Sequence, residues 1–209
     1  MAKREILLVE PADDHKYPPL GLMKIASYHR QLGDEVTFVR GCSPKAANHF
    51  WDRIYITTLF SFDWARLIET VNYYKNNLFG SSRILVGGIA ASLLPDLLYA
   101  QTGIYPFRGC LNQPGLLDPD NDVVVDRLVP DYSILKQVDY EYASADAYIG
   151  YTTRGCIRKC SFCAVPDLEP EFIDYIDIKS YIRGIAEQHG EKPHLLRWSV
   201  LFRDPVILN

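Results

Sequence analysis

The fold is decided by residues 5–39, which read EILLVEPADDHKYPPLGLMKIASYHRQLGDEVTFV. The stretch opens with Glu5 to Val9, an apolar run short enough and sufficiently β-branched to predict a buried strand. Apolar residues then recur at helical spacing, and this helix face consists of Leu22, Ile25, Ala26, His29 and Leu32. Gly33 predicts the helix end, because glycine adopts the left-handed conformation there at little cost. Val36 to Val39 predicts a second strand, so the stretch is a strand–helix–strand unit.

The alternation of strand and helix continues to about residue 105. Ile54 to Thr57 and Ile84 to Val86 predict two further strands. A helix between them is predicted to be capped by Asp63 and ended by Gly80, with an apolar face of Trp64, Leu67, Ile68, Val71 and Leu78. A last helix is predicted over Leu93 to Ala100, with Pro95 in its first turn. Helical crossovers place strands parallel, so we expect an α/β fold with a doubly wound, Rossmann-like parallel sheet that binds ligands at the carboxyl ends of its strands.

Composition and charge exclude several classes of protein. Of the 209 residues, 48% are apolar and 23% are charged, which is typical of a globular chain and not of a disordered or fibrous one. The formal charge of −4 provides no overall positive field for nucleic acid or an anionic membrane. The apolar runs are far shorter than the roughly 18 residues of a membrane span, and the first of them is too short for a signal peptide. We therefore expect a cytoplasmic protein without membrane association.

The acidic residues are concentrated between two predicted domains. Residues 113–150 carry eight acidic and two basic side chains, and residues 113–143 contain three prolines and little periodicity. We expect a first domain over 1–112, an acidic linker over 113–143 with at most a short helix at 133–137, and a second domain over 144–209. Within the second domain, the pattern predicts a strand at 147–151, a long loop at 152–170, a helix at 178–188 and a strand at 195–202.

Three of the five cysteines lie close together after the strand predicted at 147–151. Cys156, Cys160 and Cys163 form a C-x3-C-x2-C pattern, which is too tight for a disulfide framework and indicates a metal or redox site in a reducing compartment. Zinc is the weaker interpretation, because its structural sites pair two C-x2-C knuckles or add a nearby histidine. Three thiolates can instead hold a cubane iron–sulfur cluster and leave one iron open, while three unliganded cysteines are the plain alternative. Cys42 and Cys110 are expected to be buried packing residues.

The cysteine loop, with Phe162 directly before its last cysteine, resembles the radical S-adenosylmethionine superfamily. The resemblance implies that Cys156, Cys160 and Cys163 ligate a [4Fe-4S] cluster whose open iron chelates S-adenosylmethionine. It also implies reductive cleavage of this cofactor to methionine and a 5′-deoxyadenosyl radical, with the electron supplied by a donor of flavodoxin or ferredoxin type. Phe162 would pack near the adenine. Three basic residues would favour the thiolates and offset the negative charge of the cluster: Arg154, Arg158 and Lys159.

The first domain resembles the cobalamin-binding domain that precedes the radical barrel in one large group of these enzymes. Residues 13–18 keep the aspartate and the histidine, His15, of an Asp-x-His-x-x-Gly motif but have proline in place of the glycine. Thr57 begins a Thr-x-Leu element, and Gly87-Gly88 follows at the end of the next predicted strand. The resemblance implies a cobalamin site that includes Thr57, Gly87 and Gly88, with His15 as a candidate cobalt ligand. A solvated His15 and glycines that only permit a tight turn are the alternatives.

A radical barrel normally contains several more βα units than residues 144–209 supply, so we expect only the start of a partial (β/α) barrel. This predicts a fragment, a frameshifted product or one half of a split enzyme, with a further chain carrying the rest of the barrel. Asp204 is the one candidate for a contact to S-adenosylmethionine from a later strand. The first functional hypothesis is a radical enzyme that is active only with the rest of its barrel. It would methylate or rearrange a small molecule, a peptide or an RNA base. The alternative is a non-catalytic cofactor- or metal-binding protein that needs a partner chain.

Overall fold

The computed structural model divides the chain into two compact units, Met1–Tyr142 and Ala143–Asn209. It describes residues 3–12, 17–59, 61–77, 83–142, 147–190 and 196–198. The sequence-based predictions on His15, Leu78, Gly80 and Asp204 lie outside these described residues, as do residues 195 and 199–202 of the strand predicted at 195–202. Each unit is described separately below.

A four-stranded parallel sheet forms the centre of the first unit. Its strands are β1 (Glu5–Glu10), β2 (Glu35–Arg40), β3 (Arg53–Thr58) and β4 (Arg83–Gly88). The strand order is β2-β1-β3-β4, and every neighbouring pair is parallel. β2 is therefore added on one side of β1, and β3 and β4 are added on the other side. This reversal of the strand order is the arrangement of a doubly wound, Rossmann-like sheet. The predicted fold class is confirmed.

β1 is buried on both faces of the sheet because helices or loops cover both sides. Its side chains alternate, so that Ile6 and Leu8 belong to one apolar cluster and Leu7 and Val9 belong to the other. All four side chains are fully buried. Such continuous burial explains why the strand reads as an uninterrupted apolar run in the sequence.

In the described part of this unit, five α-helices follow the strands of the sheet. Their bounds are α1 (Leu20–Gln31), α2 (Pro44–Ala47), α3 (Trp64–Asn77), α4 (Ile89–Leu93) and α5 (Pro95–Thr102). Gly33 has the predicted positive φ of 82° just after α1, although Leu32 of the predicted apolar face is exposed. A short 3-10 turn, Ser61–Asp63, leads into α3.

The helix predicted over residues 93–100 corresponds to α5, whereas Leu93 ends the separate helix α4. The chain breaks at Leu94, which has φ −123° and ψ 49°, and α5 begins at Pro95. The break has a local cause, because the proline ring disfavours the helical conformation for the residue before it. Residues after α5 then return to the sheet, where the N–H of Phe107 donates to the carbonyl of Val86 at 2.7 Å.

Residues 113–142 pack onto the first unit, whereas the sequence suggested an extended acidic linker. Val125 and Ile134 are 1% and 0% exposed and join the same apolar cluster as α1. They lie in two 3-10 turns, Val125–Arg127 and Tyr132–Gln137, and the second turn overlaps the predicted short helix. Together with α1, the segment covers one face of the sheet.

Aspartates of this segment form ion pairs with basic residues in or next to the sheet and in α1. Asp118 accepts hydrogen bonds from Arg4 at 2.9 Å, Arg53 at 2.6 Å and the Tyr28 hydroxyl at 2.8 Å. Asp126 forms a buried ion pair with Lys24 at 2.9 Å, and Asp131 pairs with Arg30 at 2.6 Å; these pairs complete a set of three anchors. Three of the seven acidic side chains in this segment are thus paired with basic residues.

Over residues 147–190 and 196–198, the second unit contains short strands and two helices. Its elements are β5 (Tyr148–Gly150), β6 (Thr153–Arg154), α6 (Val165–Leu168), β7 (Ile173–Asp174), α7 (Ile178–His189) and β8 (Leu196–Trp198). β5 and β8 are parallel with α7 between them, which is the predicted βαβ unit, and β6 pairs antiparallel with β7. The Asp177 side chain caps α7 by accepting from the Ser180 N–H at 2.8 Å. Among the described residues, every helix is too short or too polar to cross a bilayer.

Candidate functional site

The three clustered cysteines lie on the loop between β6 and α6. Cys156, Cys160 and Cys163 are free thiols, each partly exposed. The loop turns at its end, where the N–H of Cys163 donates to the carbonyl of Cys160 at 3.1 Å. At its start, the N–H of Arg158 donates to the Cys156 sulfur at 3.3 Å. The thiols are therefore accessible and paired with no other cysteine in the described part of the chain.

The donor set suits a metal cluster in its chemistry. In the described residues, no group of three or more His, Cys, Asp or Glu side chains converges in a metal-binding arrangement. Three unpaired thiols on one accessible loop nevertheless provide the soft ligands that iron–sulfur clusters and zinc prefer. Cys42 and Cys110 lack this setting. Cys42 is exposed and Cys110 is partly exposed, so the prediction that both are buried packing residues is wrong.

Gly155 sets the direction in which the loop leaves β6. It has φ +72°, and a Cβ built there would lie 2.0 Å from the carbonyl oxygen of Glu171. No side chain fits at that distance, so glycine is required both by the backbone conformation and by the neighbouring chain. Cys156 follows directly, and its position is consequently fixed by this close approach.

Glu169 links both sides of this turn. Its Oε2 accepts from the Gly155 N–H at 2.7 Å, and its Oε1 accepts from Arg154 Nη1 at 2.7 Å. The Arg154 guanidinium also lies 4.4 Å from the ring centroid of Tyr151 and 5.4 Å from that of Tyr175. Arg154 is thus compensated by a carboxylate, whereas the sequence had suggested that its charge acts on the thiolates. Sequence reasoning missed Glu169 because no motif joins it to the cysteines.

The remaining predicted loop residues lie at the surface. Phe162 is 91% exposed and Ile157 is 72% exposed. Arg158 and Lys159 are also exposed. The loop therefore presents two apolar and two basic side chains to its surroundings.

In the first unit, the structure brings together Thr57 and Gly87 at the carboxyl edge of the sheet. β3 and β4 are neighbours, with Thr57 beside Gly87 and Thr58 beside Gly88. Gly88 has φ +108°, and a Cβ there would lie 2.1 Å from the Thr58 carbonyl oxygen. The close approach of the two strands therefore explains Gly88 by itself. His15, the candidate cobalt ligand, lies outside the described residues.

Another part of the same edge holds a pocket of about 340 Å³ beside the ends of β1 and β2, lined in part by Arg40 and Tyr140. Glu10 ends β1 and is 1% exposed. It accepts from Arg40 Nε at 3.1 Å and from the Tyr142 hydroxyl. Burial and the Glu10 carboxylate raise the pKa of Tyr142. Sequence reasoning missed Glu10, although a charged residue directly after a buried central strand is a usable signal.

A buried histidine network lies at the opposite edge, where the strands begin. His29 is fully buried; its Nδ1 lies 2.7 Å from Asp34 Oδ2 and its Nε2 lies 3.0 Å from the Tyr55 hydroxyl. A neutral ring satisfies both contacts, since Nδ1–H donates to the carboxylate and Nε2 accepts from the hydroxyl. Burial lowers the pKa of His29 to about 4 despite the neighbouring Asp34. This network supports the fold, because ligands of such sheets bind at the other edge.

Solved structures resemble this chain over most of its length. Two are of the radical S-adenosylmethionine methyltransferase TsrM from Kitasatospora setae, one with tryptophan substrate and the S-adenosylmethionine analogue aza-SAM bound. The other has cobalamin and a [4Fe-4S] cluster bound. The first is 14% identical, with a TM-score of 0.58, and the match covers 94% of this chain and 47% of that one. The second is 16% identical, with a TM-score of 0.58, and the match covers 95% of this chain and 49% of that one.

This chain therefore spans about half the length of the structures that it matches. At such identities the likeness shows a shared fold. No protein-family model matches the sequence, and no curated protein matches it.

Proposed function

We propose that this chain is a radical S-adenosylmethionine protein whose second unit binds a [4Fe-4S] cluster and whose first unit is of the cobalamin-binding type. One observation carries the proposal. The free thiols of Cys156, Cys160 and Cys163 lie in C-x3-C-x2-C spacing on an accessible loop, in a chain with the fold of a radical methyltransferase. Neither the spacing nor the fold would be as informative alone, since folds host many activities.

The three cysteines would hold three irons of the cluster and leave the fourth for S-adenosylmethionine. When bound, the cluster supplies the electron that cleaves S-adenosylmethionine reductively to methionine and a 5′-deoxyadenosyl radical.

The exposed side chains of the loop would contribute binding and charge. Phe162 is free to cover a planar group such as adenine, because 91% of it is exposed. Arg158 and Lys159 would offset the negative charge of the cluster and favour thiolate over thiol. Their exposure on the same loop also suits the approach of an electron donor of flavodoxin or ferredoxin type.

For the first unit, support comes from the carboxyl edge of the sheet. Thr57 is partly exposed there and lies beside Gly87 on the neighbouring strand. Ligands of doubly wound sheets bind at this edge, so a cobalamin would be held there by Thr57 and the backbone of Gly87-Gly88, with His15 as a candidate for the cobalt.

Anaerobic reconstitution of the full chain with ferrous iron and sulfide tests the proposal. We expect acid-labile sulfide, about four irons per chain, and a reduced-state electron paramagnetic resonance signal that shifts on addition of S-adenosylmethionine. Cys156→Ser, Cys160→Ser and Cys163→Ser should each lower the iron content sharply. Cys42→Ser and Cys110→Ser serve as matched controls and should leave it unchanged.

The opposite outcome is equally clear. Stoichiometric zinc without sulfide would contradict the cluster and indicate a non-catalytic metal-binding protein. Binding of hydroxocobalamin, followed by its absorbance spectrum and compared between the wild type and Thr57→Ala, tests the assignment of the first unit separately.

A further inference from the structure

We infer that Glu169 is a positioning residue that holds the cysteine loop in the conformation that accepts the cluster, acting through the Gly155 N–H and the Arg154 guanidinium. The inference rests on the proposed function. It concerns a residue outside the cysteine motif, six positions after the last cysteine in the sequence.

The first argument is geometric. Gly155 precedes Cys156, and its N–H donates to Glu169 Oε2 at 2.7 Å. The same glycine packs against the backbone of the returning chain, since a Cβ there would lie 2.0 Å from Glu171 O and 3.0 Å from Glu169 O. The side chain and the backbone of residues 169–171 therefore hold the same peptide, and the direction of Cys156 depends on both.

The second argument is electrostatic. Arg154 and Glu169 are only 16% and 14% exposed, so water screens their attraction less than it screens a surface pair. Hydrogen bonds between ionised groups are also stronger than neutral ones. Glu169 cancels the charge of Arg154 beside the loop, so that the exposed Arg158 and Lys159 supply the net positive charge there.

The third argument concerns how the loop is framed. β6 and β7 pair directly before the cysteines and after Glu169, with Arg154 opposite Ile173. The N–H of Tyr175 adds a bond to the Thr152 carbonyl at 2.8 Å. The cysteine loop is thus closed at its base by backbone pairing, and Glu169 is the side chain that ties the interior of the loop to this base.

Residues that orient metal ligands typically change metal affinity by about 10–100-fold when they are replaced. Full-length Glu169→Ala should therefore bind ferrous iron, in the presence of sulfide, about tenfold more weakly than the wild type. Glu169→Gln should be affected less, because the amide oxygen can still accept from the Gly155 N–H. Glu171→Gln is the matched control. It removes the same charge from an exposed side chain two residues after Glu169, and it should behave as the wild type.

Two further readouts separate positioning from simple loss of folding. Without metal, the Gly155 amide should exchange about tenfold faster in Glu169→Ala than in the wild type, because its charged acceptor is lost. Amides of α7 should exchange at unchanged rates. In the loaded protein, Glu169→Gln should raise the reduction potential of the cluster, since removing a negative charge beside the loop favours the more negative reduced state.

The outcomes are distinguishable. A wild-type chain that takes up no iron and sulfide would overturn the proposed function, and with it this inference. A loaded wild type with equal iron affinity and equal Gly155 exchange in Glu169→Ala would overturn the inference alone. Weaker binding and faster exchange in Glu169→Ala, with partial recovery in Glu169→Gln and none of these effects in Glu171→Gln, would support it.

Discussion

Gly155 and Gly190 of the second unit both have a left-handed backbone conformation, but a side chain would meet a steric clash only at Gly155. Both have positive φ, but a Cβ at Gly155 would meet Glu171 O at 2.0 Å, whereas a Cβ at Gly190 would meet nothing within 4 Å. We expect Gly190→Ala to cost about 1 kcal/mol of unfolding free energy from backbone strain alone. Gly155→Ala should cost about 3 kcal/mol because a steric clash is added. Chemical denaturation of both variants measures this difference, and equal costs would contradict the close approach.

His29 makes the stability of the first unit dependent on pH. Its folded pKa of about 4 lies below the ordinary value of 6.5, so folding favours the neutral ring. The stabilisation is complete above pH 6.5 and is lost as the pH falls through the window from 6.5 to 4, up to about 3 kcal/mol in total. The groups that face the ring are Asp34, Tyr55, Arg4 and Arg53.

Urea denaturation at pH 7, 5.5 and 4 tests this dependence. We expect the unfolding free energy of the wild type to fall across the series more steeply than that of His29→Gln, which has no titrating ring. Parallel slopes for the two proteins would show that His29 does not titrate in this window.

At the scale of elements, the acidic segment 113–142 depends on Asp118. Burial alone would raise the pKa of Asp118, but hydrogen bonds from Arg4, Arg53 and Tyr28 outweigh it and hold that pKa well below its usual range. Asp118→Asn should therefore lower the unfolding free energy at pH 7 by about 2 kcal/mol, since Arg53 loses its carboxylate partner and Arg4 keeps only Asp34. Asp120→Asn, at an exposed position, is the matched control and should change little. Thermal unfolding of the two variants gives the comparison.

The elements that could be predicted are those whose burial imposes a regular pattern of apolar residues on the sequence. All four strands of the first sheet and α1 follow from apolar runs or helical spacing, because each is buried by the layer it belongs to. α2 and α4 were missed because four or five residues are too few to establish a period. The packing of residues 113–142 was missed because irregular backbone has no period, and the partners of Asp118 are far away in the sequence.

The candidate site divides in the same way. Cys156, Cys160 and Cys163 could be found because their ligand spacing is local to one loop. Glu169 could not, since its contacts to Arg154 and Gly155 exist only in the folded chain. Glu10 was missed, although its place at the end of a buried strand is a signal that the sequence does carry. Gly88 is the opposite case. The motif singled it out as a binding residue, but the close approach of the Thr58 backbone is enough to explain why it is glycine.

At the scale of the whole molecule, the first unit should fold without the second, but only if it includes the acidic segment. We expect a fragment of residues 1–142 to unfold cooperatively, because both faces of its sheet are covered. A fragment of residues 1–112 lacks Val125 and Ile134 and leaves part of that face exposed, so we expect it to lack a cooperative transition. Thermal circular dichroism and the dispersion of amide NMR signals measure both fragments. Equal cooperativity would mean that the segment contributes no core.

The late position of this covering layer also matters while the chain is being made. The sheet of the first unit is complete by Gly88, yet one of its faces receives Val125 and Ile134 only some tens of residues later. At a synthesis rate of about 5–20 residues per second, the part of this face that Val125 and Ile134 cover stays exposed to solvent or to a chaperone for about 2–8 s. A partly covered sheet therefore emerges from the ribosome before the rest of its core, and the yield of folded protein should depend on how quickly residues 113–142 follow.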